Sequence, residues 1–314
     1  MSGIEKRPGP SPKVTVVVLN YNGKADTIEC LRSLEKLSYP DRDILLVDNG
    51  SEDGSPPAVR ELFPGVTVIE NRENLGYSEG NNVGIRYALE NGSSYILLLN
   101  NDTVVTDEHL LESLIDFAES TEKAGAVGPK ILYWQSERVW FAGGRVSYLT
   151  GLCRHIGKGT EDRGIADEAP RTVDYISGCC LLMSIDVLSD IGLLDPDYFL
   201  YYEDTDLCFR AKRSGYENYI VPSCVIYHKK SASTGFTGEN RLTALQAYYF
   251  ARNAVLFARK NLHGWKKALF LLAQFTIRLA YNSIMVSGVL ALKEYLRGLK
   301  DGVAFKLPNK PAAW

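Results

Sequence analysis

The sequence predicts an α/β fold, in which a mostly parallel sheet is flanked by helices and followed by a C-terminal helical extension. Three observations support this prediction. Short runs rich in Val, Ile and Leu alternate with segments of helical periodicity, these runs end in Asn, Asp or Gly, and from residue 241 onward the periodicity is helical throughout. With 45% hydrophobic and 23% charged residues over 314 positions, the chain is globular and long enough for one or two domains.

Four predicted strands separated by three predicted helices open the chain. The strands are "KVTVVVLN", "DILLVD", "VTVIEN" and "SYILLLNN", and the helices between them are "TIECLRSLEKL", "AVRELF" and "GNNVGIRYALEN". Consecutive parallel strands need a crossover connection, usually a helix, so this alternation indicates a parallel sheet. Further along, "SGCCLLMS" predicts a strand, residues 206–213 a helix and "ENYIVPSCVIY" another strand.

Composition limits the partners and the compartment. From Phe257 onward ten Lys and Arg residues oppose only Glu294 and Asp301, so this tail is basic and the rest of a chain of net charge −3 is acidic. An acidic body argues against nucleic-acid binding, whereas a basic tail suits an anionic membrane surface. The six cysteines include no C-x-x-C pair, which indicates neither a zinc site nor a disulfide framework and fits a reducing cytosol. The first twelve residues lack an apolar run, so we expect a polar leader and not a secretion signal.

Polar side chains stand where three of the predicted strands end. They are Asn20, Tyr21 and Asn22 after the first strand, Asp48, Asn49 and Ser51 after the second, and Asn100, Asn101 and Asp102 after the fourth. In an open parallel sheet, ligands bind beyond the carboxyl ends of the strands, where these loops converge. Because Asp, Asn and Gly also begin turns and cap helices, a purely structural role is the alternative for each loop taken alone.

Six stretches in this order resemble family 2 glycosyltransferases of the GT-A fold, and most closely the rhamnosyltransferase-like members that build surface polysaccharides. They are "VTVVVLNYNG", "LLVDNGSEDGS", "ENLGYSEGNNVGI", "LLLNNDTVV", "SGCCLLMSIDVLSDIGLLDPDYFLYYEDTDLCFRAKRSGY" and "YHKKSAST". The resemblance runs from about residue 13 to residue 261. It implies an inverting transfer of a sugar from a nucleotide-diphosphate donor, assisted by a divalent metal, Mn or Mg.

The resemblance implies a metal site at Asp102 and His228. Negative charge grows on the donor diphosphate as the sugar bond breaks, and a hard cation held by oxygen ligands offsets it. The family's acidic pair appears here as Asn-x-Asp, in which Asp102 is the expected ligand and Asn100 suits the ribose or metal-bound water. His228 matches the family's histidine position after a predicted strand, and a structural hydrogen bond is its alternative role.

An acidic cluster formed by Glu203, Asp204 and Asp206 contains the predicted catalytic base. A carboxylate behind the anomeric carbon can take the proton of the attacking hydroxyl. The resemblance implies this role for Asp204, with Glu203 supporting it or touching the acceptor. Asp206 begins a predicted helix, where it also stabilises the positive end of the dipole, and Arg210 lies one turn away as a countercharge. An acidic helix start without a catalytic role is the alternative.

The other donor contacts also follow from the resemblance. Asp48 is expected to accept a hydrogen bond from uracil or thymine, which fits a UDP- or dTDP-linked sugar. The predicted nucleotide-sugar-binding residues are Leu19, Asn20, Tyr21, Asp48, Ser51, Asn74, Gly76, Gly80, Asn81, Asn100 and Asn101. Gly178 is expected to let the acceptor approach, and "KKSASTGFTGEN" to close over the diphosphate. The segment "NLGYSEGNN", residues 74–82, resembles the family's donor loop. The alternatives are a plain helix start for the glycines of this donor loop and a mobile linker for the later loop.

The C-terminal segment is predicted to lie on a membrane surface. Residues 268–292 contain one charge, Arg278, and Gln274, Arg278 and Asn282 share one helical face. A central arginine costs roughly 2.5 to 3.5 kcal/mol in a spanning helix, so an interfacial amphipathic helix with lysines at its flanks fits better. Packing on the catalytic domain or in a homodimer is the alternative. We therefore expect a cytoplasmic protein on the inner face of the plasma membrane.

These predictions divide the chain into four parts: a polar leader (1–12), a nucleotide-sugar-binding α/β half (13–125), an acceptor-binding and catalytic half (126–240) and a C-terminal helical segment (241–314). The expected partners are a nucleotide-diphosphate sugar, with rhamnose favoured, and a hydroxyl of a glycan or lipid-linked acceptor.

Three other protein classes stay open at this stage. A sugar-nucleotide pyrophosphorylase would need a basic, glycine-rich loop after the first strand, where the sequence offers only Lys24. A glycosidase would use two carboxylates but no nucleotide-binding strand ends. A non-catalytic carbohydrate-binding protein would not depend on Asp204.

Overall fold

The computed structural model describes residues 11–162, 169–229 and 242–307. The strands are β1 (Val14–Asn20), β2 (Arg42–Asp48), β3 (Thr67–Glu70), β4 (Tyr95–Asn100), β5 (Thr103–Val105), β6 (Ala124–Tyr133), β7 (Val139–Phe141), β8 (Gly144–Ser147), β9 (Leu152–His155), β10 (Arg171–Val173), β11 (Cys180–Ser184) and β12 (Glu217–His228). Within the described residues, ten of these strands form one sheet in the order β10-β12-β6-β11-β4-β1-β2-β3, with β5 beside β12 and β7 beside β6. Strands β8 and β9 form a separate hairpin.

Helices alternate with the strands in the first half of the chain and dominate its end. They are α1 (Lys24–Leu34), α2 (Ser55–Leu62), α3 (Gly76–Glu90), α4 (Leu110–Ser120), α5 (Ile185–Ile191), α6 (Glu203–Arg213), α7 (Ala244–Asn261), α8 (Gly264–Ala273), α9 (Leu279–Met285) and α10 (Gly288–Ala304). A single π turn, Gln274–Arg278, joins α8 to α9. The predicted α/β class is confirmed.

The four N-terminal strands of the sheet are all parallel, as their alternation with helices predicts. The apolar side chains of β1, β2 and β4 are mostly buried, and helix α3 packs on these three strands, whereas the edge strand β3 is only partly buried. In register, Asn20 is level with Asp48, and Leu19 is level with Asn100. The polar ends of β1, β2 and β4 therefore meet at one edge of the sheet.

The second half of the chain continues the same sheet. Strand β11 pairs antiparallel with β4, and β6 and β12 run parallel to each other beyond it. The short strand β5 pairs antiparallel with the end of β12, which sets Thr103 opposite His228. This pairing brings the end of β12 to the loop that follows β4.

The C-terminal helices pack against each other and against the catalytic half. Helix α7 packs along α10, where Gly298 and Gly302 let the two backbones approach closely. The prediction of an uninterrupted helical segment is wrong at two places: the chain leaves the helix at Leu262–His263 and again at Val286–Ser287. At the second break Val286 bridges Leu242, so the backbone turns back toward the start of α7.

One helical stretch in the described part of the chain, 264–285, is long and apolar enough to cross a bilayer by length and composition. Its mean hydropathy is 1.3, and 22% of it is buried within the protein. Gln274 and Asn282 are buried on its inner side. Its outer side exposes large apolar side chains, which together with those of α10 we call the apolar outer surface: Trp265, Leu272, Phe275, Ile277, Tyr281, Ile284, Val289 and Leu290.

Candidate active site

A cavity of about 740 Å³ opens at the carboxyl ends of the parallel strands. It brings together predicted site residues from both halves of the chain. Those that line it are Leu19, Tyr21, Asn74, Gly76, Asn100, Asn101, Asp102, Gly178, Glu203, Asp204 and His228. The predicted metal ligands and the predicted base therefore share one cavity.

Two of the residues predicted to bind the nucleobase, Asn20 and Asp48, lie behind the residues that line the cavity. Both are fully buried, and Asn20 Nδ2 donates to Asp48 Oδ1 at 2.6 Å. Asp48 also accepts hydrogen bonds from the backbone N–H and hydroxyl of Ser51, at 2.8 and 2.7 Å. In this structure the three residues bond to one another and do not line the cavity.

Two further donor-loop residues, Gly80 and Asn81, are also packed away from the cavity. A Cβ at Gly80 would come within 2.7 Å of Leu19 Cδ1, so this glycine lets α3 lie close to the end of β1. Asn81 donates to the Tyr77 carbonyl in the preceding turn of α3. Gly76, with φ +79°, does line the cavity, and a side chain there would collide with Phe199.

Asp102 and His228 form a pair, as predicted for metal ligands. His228 Nε2 lies 3.1 Å from Asp102 Oδ1, and both side chains are more than nine-tenths buried. The Lys229 N–H donates to the Asp102 carbonyl at 2.9 Å, and the Lys229 ammonium pairs with Asp26 and Glu29 of α1. The end of β12 is thereby fastened to the Asp102 loop. The remainder of the predicted closing loop, residues 230–240, lies outside the described residues.

The Asp102–His228 pair fits a divalent metal as two adjacent ligands. Neighbouring ligands about 2.1 Å from an octahedral ion are about 3.0 Å apart, close to the observed separation. No group of three or more His, Cys, Asp or Glu suited to a metal occurs among the described residues, so other ligands would have to come from substrate or water. His228 Nδ1 is buried and has no hydrogen-bond partner in the described structure, whereas metal-bound histidines usually have one.

Asp204 is held by hydrogen bonds to both carboxylate oxygens. Oδ2 accepts from the Gly178 N–H at 3.0 Å, and Oδ1 accepts from the Thr205 N–H at 2.6 Å and its hydroxyl at 3.1 Å. Burial raises the pKa of Asp204, and these hydrogen bonds offset only part of that rise. A carboxylate with a raised pKa is a better proton acceptor, which suits a general base.

Glu203 is buried beside Asp204 in a less polar environment. Its Oε2 has no hydrogen-bond partner in the described structure. Burial raises its pKa well above the ordinary value, and the neighbouring charge of Asp204 raises it further. The surroundings of Glu203 therefore favour its protonated form, whereas the hydrogen bonds from Gly178 and Thr205 favour the charged form of Asp204.

The backbone just before these carboxylates is strained. Tyr201 and Tyr202 both have positive φ, +70° and +75°, a conformation that costs of order 1–3 kcal/mol for a residue other than glycine. Asn253 of α7 stabilises this turn, since its Nδ2 donates to the carbonyls of Leu200 and Tyr201 at 2.8 and 2.9 Å. The position of the predicted base thus depends on a C-terminal helix.

Asp206 has a structural role and does not line the cavity. Its Oδ2 accepts from Arg210 Nε at 2.8 Å, which confirms the predicted countercharge, and its Oδ1 accepts from Asn261 Nδ2 at 2.6 Å. Arg210 also donates to the carbonyls at the end of α5 and just beyond it. Of the three clustered carboxylates, only Glu203 and Asp204 face the cavity.

Gly178 connects the donor loop to Asp204. The Tyr77 hydroxyl donates to the Gly178 carbonyl at 2.6 Å, while the Gly178 N–H donates to Asp204. A Cβ at this position would come within 2.5 Å of the Tyr77 hydroxyl. Gly178, which was predicted to leave room for the acceptor, also leaves room for the Tyr77 hydroxyl.

Several residues that line the cavity were not predicted from the sequence, and Trp140, His155 and Arg278 are the three with the clearest chemical roles. Trp140 packs between two histidine rings, with centroids 4.7 Å from His155 and 4.4 Å from His228. Burial lowers the pKa of His155 to about 3, so its ring is neutral. Arg278 was noticed only as a charge in an apolar helix. No local sequence pattern identifies Trp140 or His155 as site residues, because the pairing of strands that are distant in the sequence brings them to the site.

Comparison with known proteins finds a matching family profile and similar rhamnosyltransferases. The profile of the family described as "Glycosyl transferase family 2" matches residues 15–192, more than half of the chain. The N-acetylglucosaminyl-diphospho-decaprenol L-rhamnosyltransferase of Mycobacterium tuberculosis is 28% identical over 269 residues, covering 81% of this chain and 86% of that protein. The dTDP-rhamnosyl transferase RfbF of Shigella flexneri is 25% identical over 304 residues, covering 92% of this chain and 97% of that protein.

A solved structure is similar in fold. The mannosyltransferase PcManGT from Pyrobaculum calidifontis, in complex with GDP-Man and Mn2+, superposes with a TM-score of 0.59 and covers 96% of this chain and 78% of that one. At 18% identity this likeness shows the fold alone. It confirms the predicted GT-A fold.

Proposed function

This chain belongs to glycosyl transferase family 2 and is a glycosyltransferase, and we propose that it inverts the anomeric centre and depends on a divalent metal. It moves a sugar from a nucleotide-diphosphate donor to a hydroxyl of a glycan or lipid-linked acceptor in surface polysaccharide synthesis. The observation that carries this proposal is the single cavity lined by Asp204 and by the Asp102–His228 pair.

Asp204 is the proposed base. It takes the proton of the acceptor hydroxyl as that oxygen attacks the anomeric carbon, and the bond to the donor diphosphate breaks on the opposite side. The hydrogen bonds from Gly178 and Thr205 hold the carboxylate in one orientation. Glu203, protonated beside it, can donate a hydrogen bond to an acceptor oxygen.

Asp102 and His228 are the proposed metal ligands. A bound Mn or Mg ion would stabilise negative charge on the leaving diphosphate. Asn100 lines the cavity next to this pair and is the proposed ribose contact. We propose an indirect role for Asn20, Asp48 and Ser51. Their hydrogen bonds to one another set the shape of the loops that hold the nucleobase of the donor.

The proposed donor is dTDP-rhamnose, and the proposed acceptor is a lipid-linked saccharide. The support is the activity of the two relatives, of which one is a dTDP-rhamnosyl transferase and the other an N-acetylglucosaminyl-diphospho-decaprenol L-rhamnosyltransferase. A lipid-linked acceptor also suits a protein that binds the inner face of the plasma membrane through its apolar outer surface. Lys266, Lys267 and Lys293 border that surface and would meet anionic lipid.

The test is transfer from radiolabelled donors. Full-length protein is incubated with dTDP-rhamnose, UDP-glucose or UDP-N-acetylglucosamine and a lipid-linked acceptor extract, and the label in the lipid fraction is counted. We expect transfer from dTDP-rhamnose that EDTA removes and Mn restores, with an inverted anomeric centre in the product. Transfer that is indifferent to EDTA contradicts metal dependence, and retention of configuration contradicts the proposed mechanism.

A further inference from the structure

The cavity has a wall that the proposed donor contacts and base do not use. It is formed by Cys153 of β9, by Tyr201 before α6, by Phe250 of α7 and by Arg278. Tyr201 stacks on Phe250 with ring centroids 4.1 Å apart. Of these four side chains, only that of Arg278 carries a charge.

Arg278 has no carboxylate partner within 4 Å in the described parts of the chain. Its Nη2 lies 3.5 Å from Asn282 Oδ1, at the limit of a hydrogen bond, and its guanidinium is 5.1 Å from the Tyr281 ring. By contrast, Arg252 and Arg259 of α7 each donate to backbone carbonyls at 2.7–2.8 Å. A partly buried arginine that lacks an anion is costly unless a ligand supplies one.

The backbone that carries Arg278 is held in place. Arg278 ends the π turn, and such turns occur frequently at functional sites. Gln274, at the start of the turn, is buried and donates to the Gly151 carbonyl. Asn282, one turn further on, is buried as well. Both neighbours fix the helix against the protein and leave the Arg278 side chain at the cavity.

The charge of Arg278 acts near the proposed base. Burial raises the pKa of both Cys153 and Tyr202, and Arg278 lowers each in part. Tyr202 directly precedes Glu203 and Asp204. The charge of Asp204 also acts on the Cys153 thiol, so the cation lies on the side of the cavity that contains the proposed base.

The same helix presents apolar side chains to the outside. Ile277 and Ile284, on either side of Arg278, are 54% and 78% exposed. A molecule that reaches the cavity past this surface would place its hydrocarbon part against the apolar side chains and its polar part beside Arg278. A lipid that carries a diphosphate next to its sugar has this arrangement of parts.

We infer that Arg278 binds the diphosphate of a prenyl-diphosphate-linked acceptor and so orients the acceptor sugar toward Asp204. This inference rests on the proposed function, and it assigns the acceptor a charged group and a binding residue. Guanidinium groups bind diphosphate through paired, charge-assisted hydrogen bonds.

Calorimetry on the full-length protein in detergent micelles tests the inference, with farnesyl diphosphate, farnesol and inorganic pyrophosphate as probes. We expect wild-type protein to bind farnesyl diphosphate about tenfold or more tightly than either other probe, as a charge-assisted contact would give. Arg278→Gln should remove that preference and leave farnesol binding unchanged, and Arg278→Lys should keep part of it. The matched control is Arg297→Gln, which removes an arginine from the exposed side of α10 and should behave as wild type.

Three results would overturn the inference. They are equal binding of farnesyl diphosphate and farnesol by wild-type protein, unchanged preference in Arg278→Gln, and pyrophosphate binding as tight as that of farnesyl diphosphate. Titration of dTDP with Mn in the same samples separates the two proposals. Loss of dTDP binding in Arg278→Gln would move Arg278 to the donor site, whereas failure of wild-type protein to bind dTDP would count against the proposed function alone.

Discussion

At the residue scale, burial raises the pKa of both adjacent carboxyl groups, and the charge of Asp204 raises that of Glu203 further, so substitution can separate their roles. Asp204→Asn removes the proposed proton acceptor and should lower kcat about 10²–10⁴-fold, while dTDP binding stays nearly intact. Glu203→Gln resembles the protonated form of Glu203 and should keep most of the activity. The measurement is kcat at saturating donor.

More than about a tenth of wild-type turnover in Asp204→Asn would remove the base assignment, because general-base catalysis contributes far more. Asp206 would not become the next candidate for the general base. Its two oxygens are bonded to Arg210 and Asn261, so it is unsuited to accept a proton from a substrate.

The acid limb of the pH–activity profile should report Asp204. Its pKa lies above the ordinary aspartate value of 3.8 because of burial, so activity should fall as the pH drops through that raised pKa. Thr205→Val removes one hydrogen bond to the charged form and should move the limb to higher pH, whereas Thr205→Ser should not. The measurement is kcat/KM against pH for the three proteins.

Protonation of Asp204 would not unfold the protein and so would not cause the loss of activity at low pH in that way. A carboxyl group whose pKa is raised in the folded state binds its proton more tightly there than in the unfolded chain. Its contribution to stability is therefore largest at low pH and is lost as the pH rises through the folded pKa. An acid limb that Thr205→Val leaves in place would contradict the assignment.

The proposed metal ligands predict a linked loss of metal and donor binding. Asp102→Ala should abolish the enhancement of dTDP binding by Mn and most of the activity, because it removes the only carboxylate ligand proposed for the ion. His228→Ala should lose part of both and recover partly at higher Mn. Calorimetric titration of dTDP with and without Mn measures this. Full enhancement in Asp102→Ala would exclude the site, and full enhancement in His228→Ala alone would leave that histidine a structural role.

At the element scale, the apolar outer surface should carry membrane binding. Substitution of Ile277, Ile284 and Val289 by Ser should reduce sedimentation with anionic vesicles at low salt at least tenfold, since each insertion of a large apolar side chain stabilises the bound state by about 1.5–3 kcal/mol. The matched control is Leu62→Ser with Leu89→Ser, two exposed leucines on α2 and α3. Equal sedimentation of the two variants would contradict membrane docking by this surface.

Point substitutions serve this test better than truncation after Leu262. Removing the rest of the chain would also remove α10, which packs along α7 at Gly298 and Gly302. Arg259 of α7 would lose its bonds to the carbonyls of Gly302 and Phe305. Because α7 carries Asn253, the truncation would disturb the turn before Asp204 as well as lipid binding.

At the scale of the whole molecule, the sequence predicted the fold well where the signals are local. The four parallel strands and the helix after Glu203 follow from periodicity. The meeting of Asp102 with His228, which are far apart in the sequence, was expected only from the family resemblance. The predicted shared face of Gln274 and Asn282 is confirmed by their burial.

What the sequence did not predict depends on contacts between distant segments. An aspartate at a strand end looks the same whether it faces a ligand or, as Asp48 does, bonds to Asn20 and Ser51. The strained turn at Tyr201 and Tyr202 exists because α7 supports it from some fifty residues away. No short-range pattern encodes either arrangement.

The hydrogen bonds from Tyr77 through Gly178 to Asp204 have a consequence for the kinetic scheme. Tyr77 lies in the first turn of α3 and lines the cavity, so a sugar nucleotide that contacts this turn also fixes the position of the base before any acceptor arrives. We therefore expect a compulsory order, with donor binding first and nucleoside diphosphate leaving last. Product inhibition by dTDP should then be competitive against the donor and mixed against the acceptor, and competitive inhibition against both substrates would show that they bind at random.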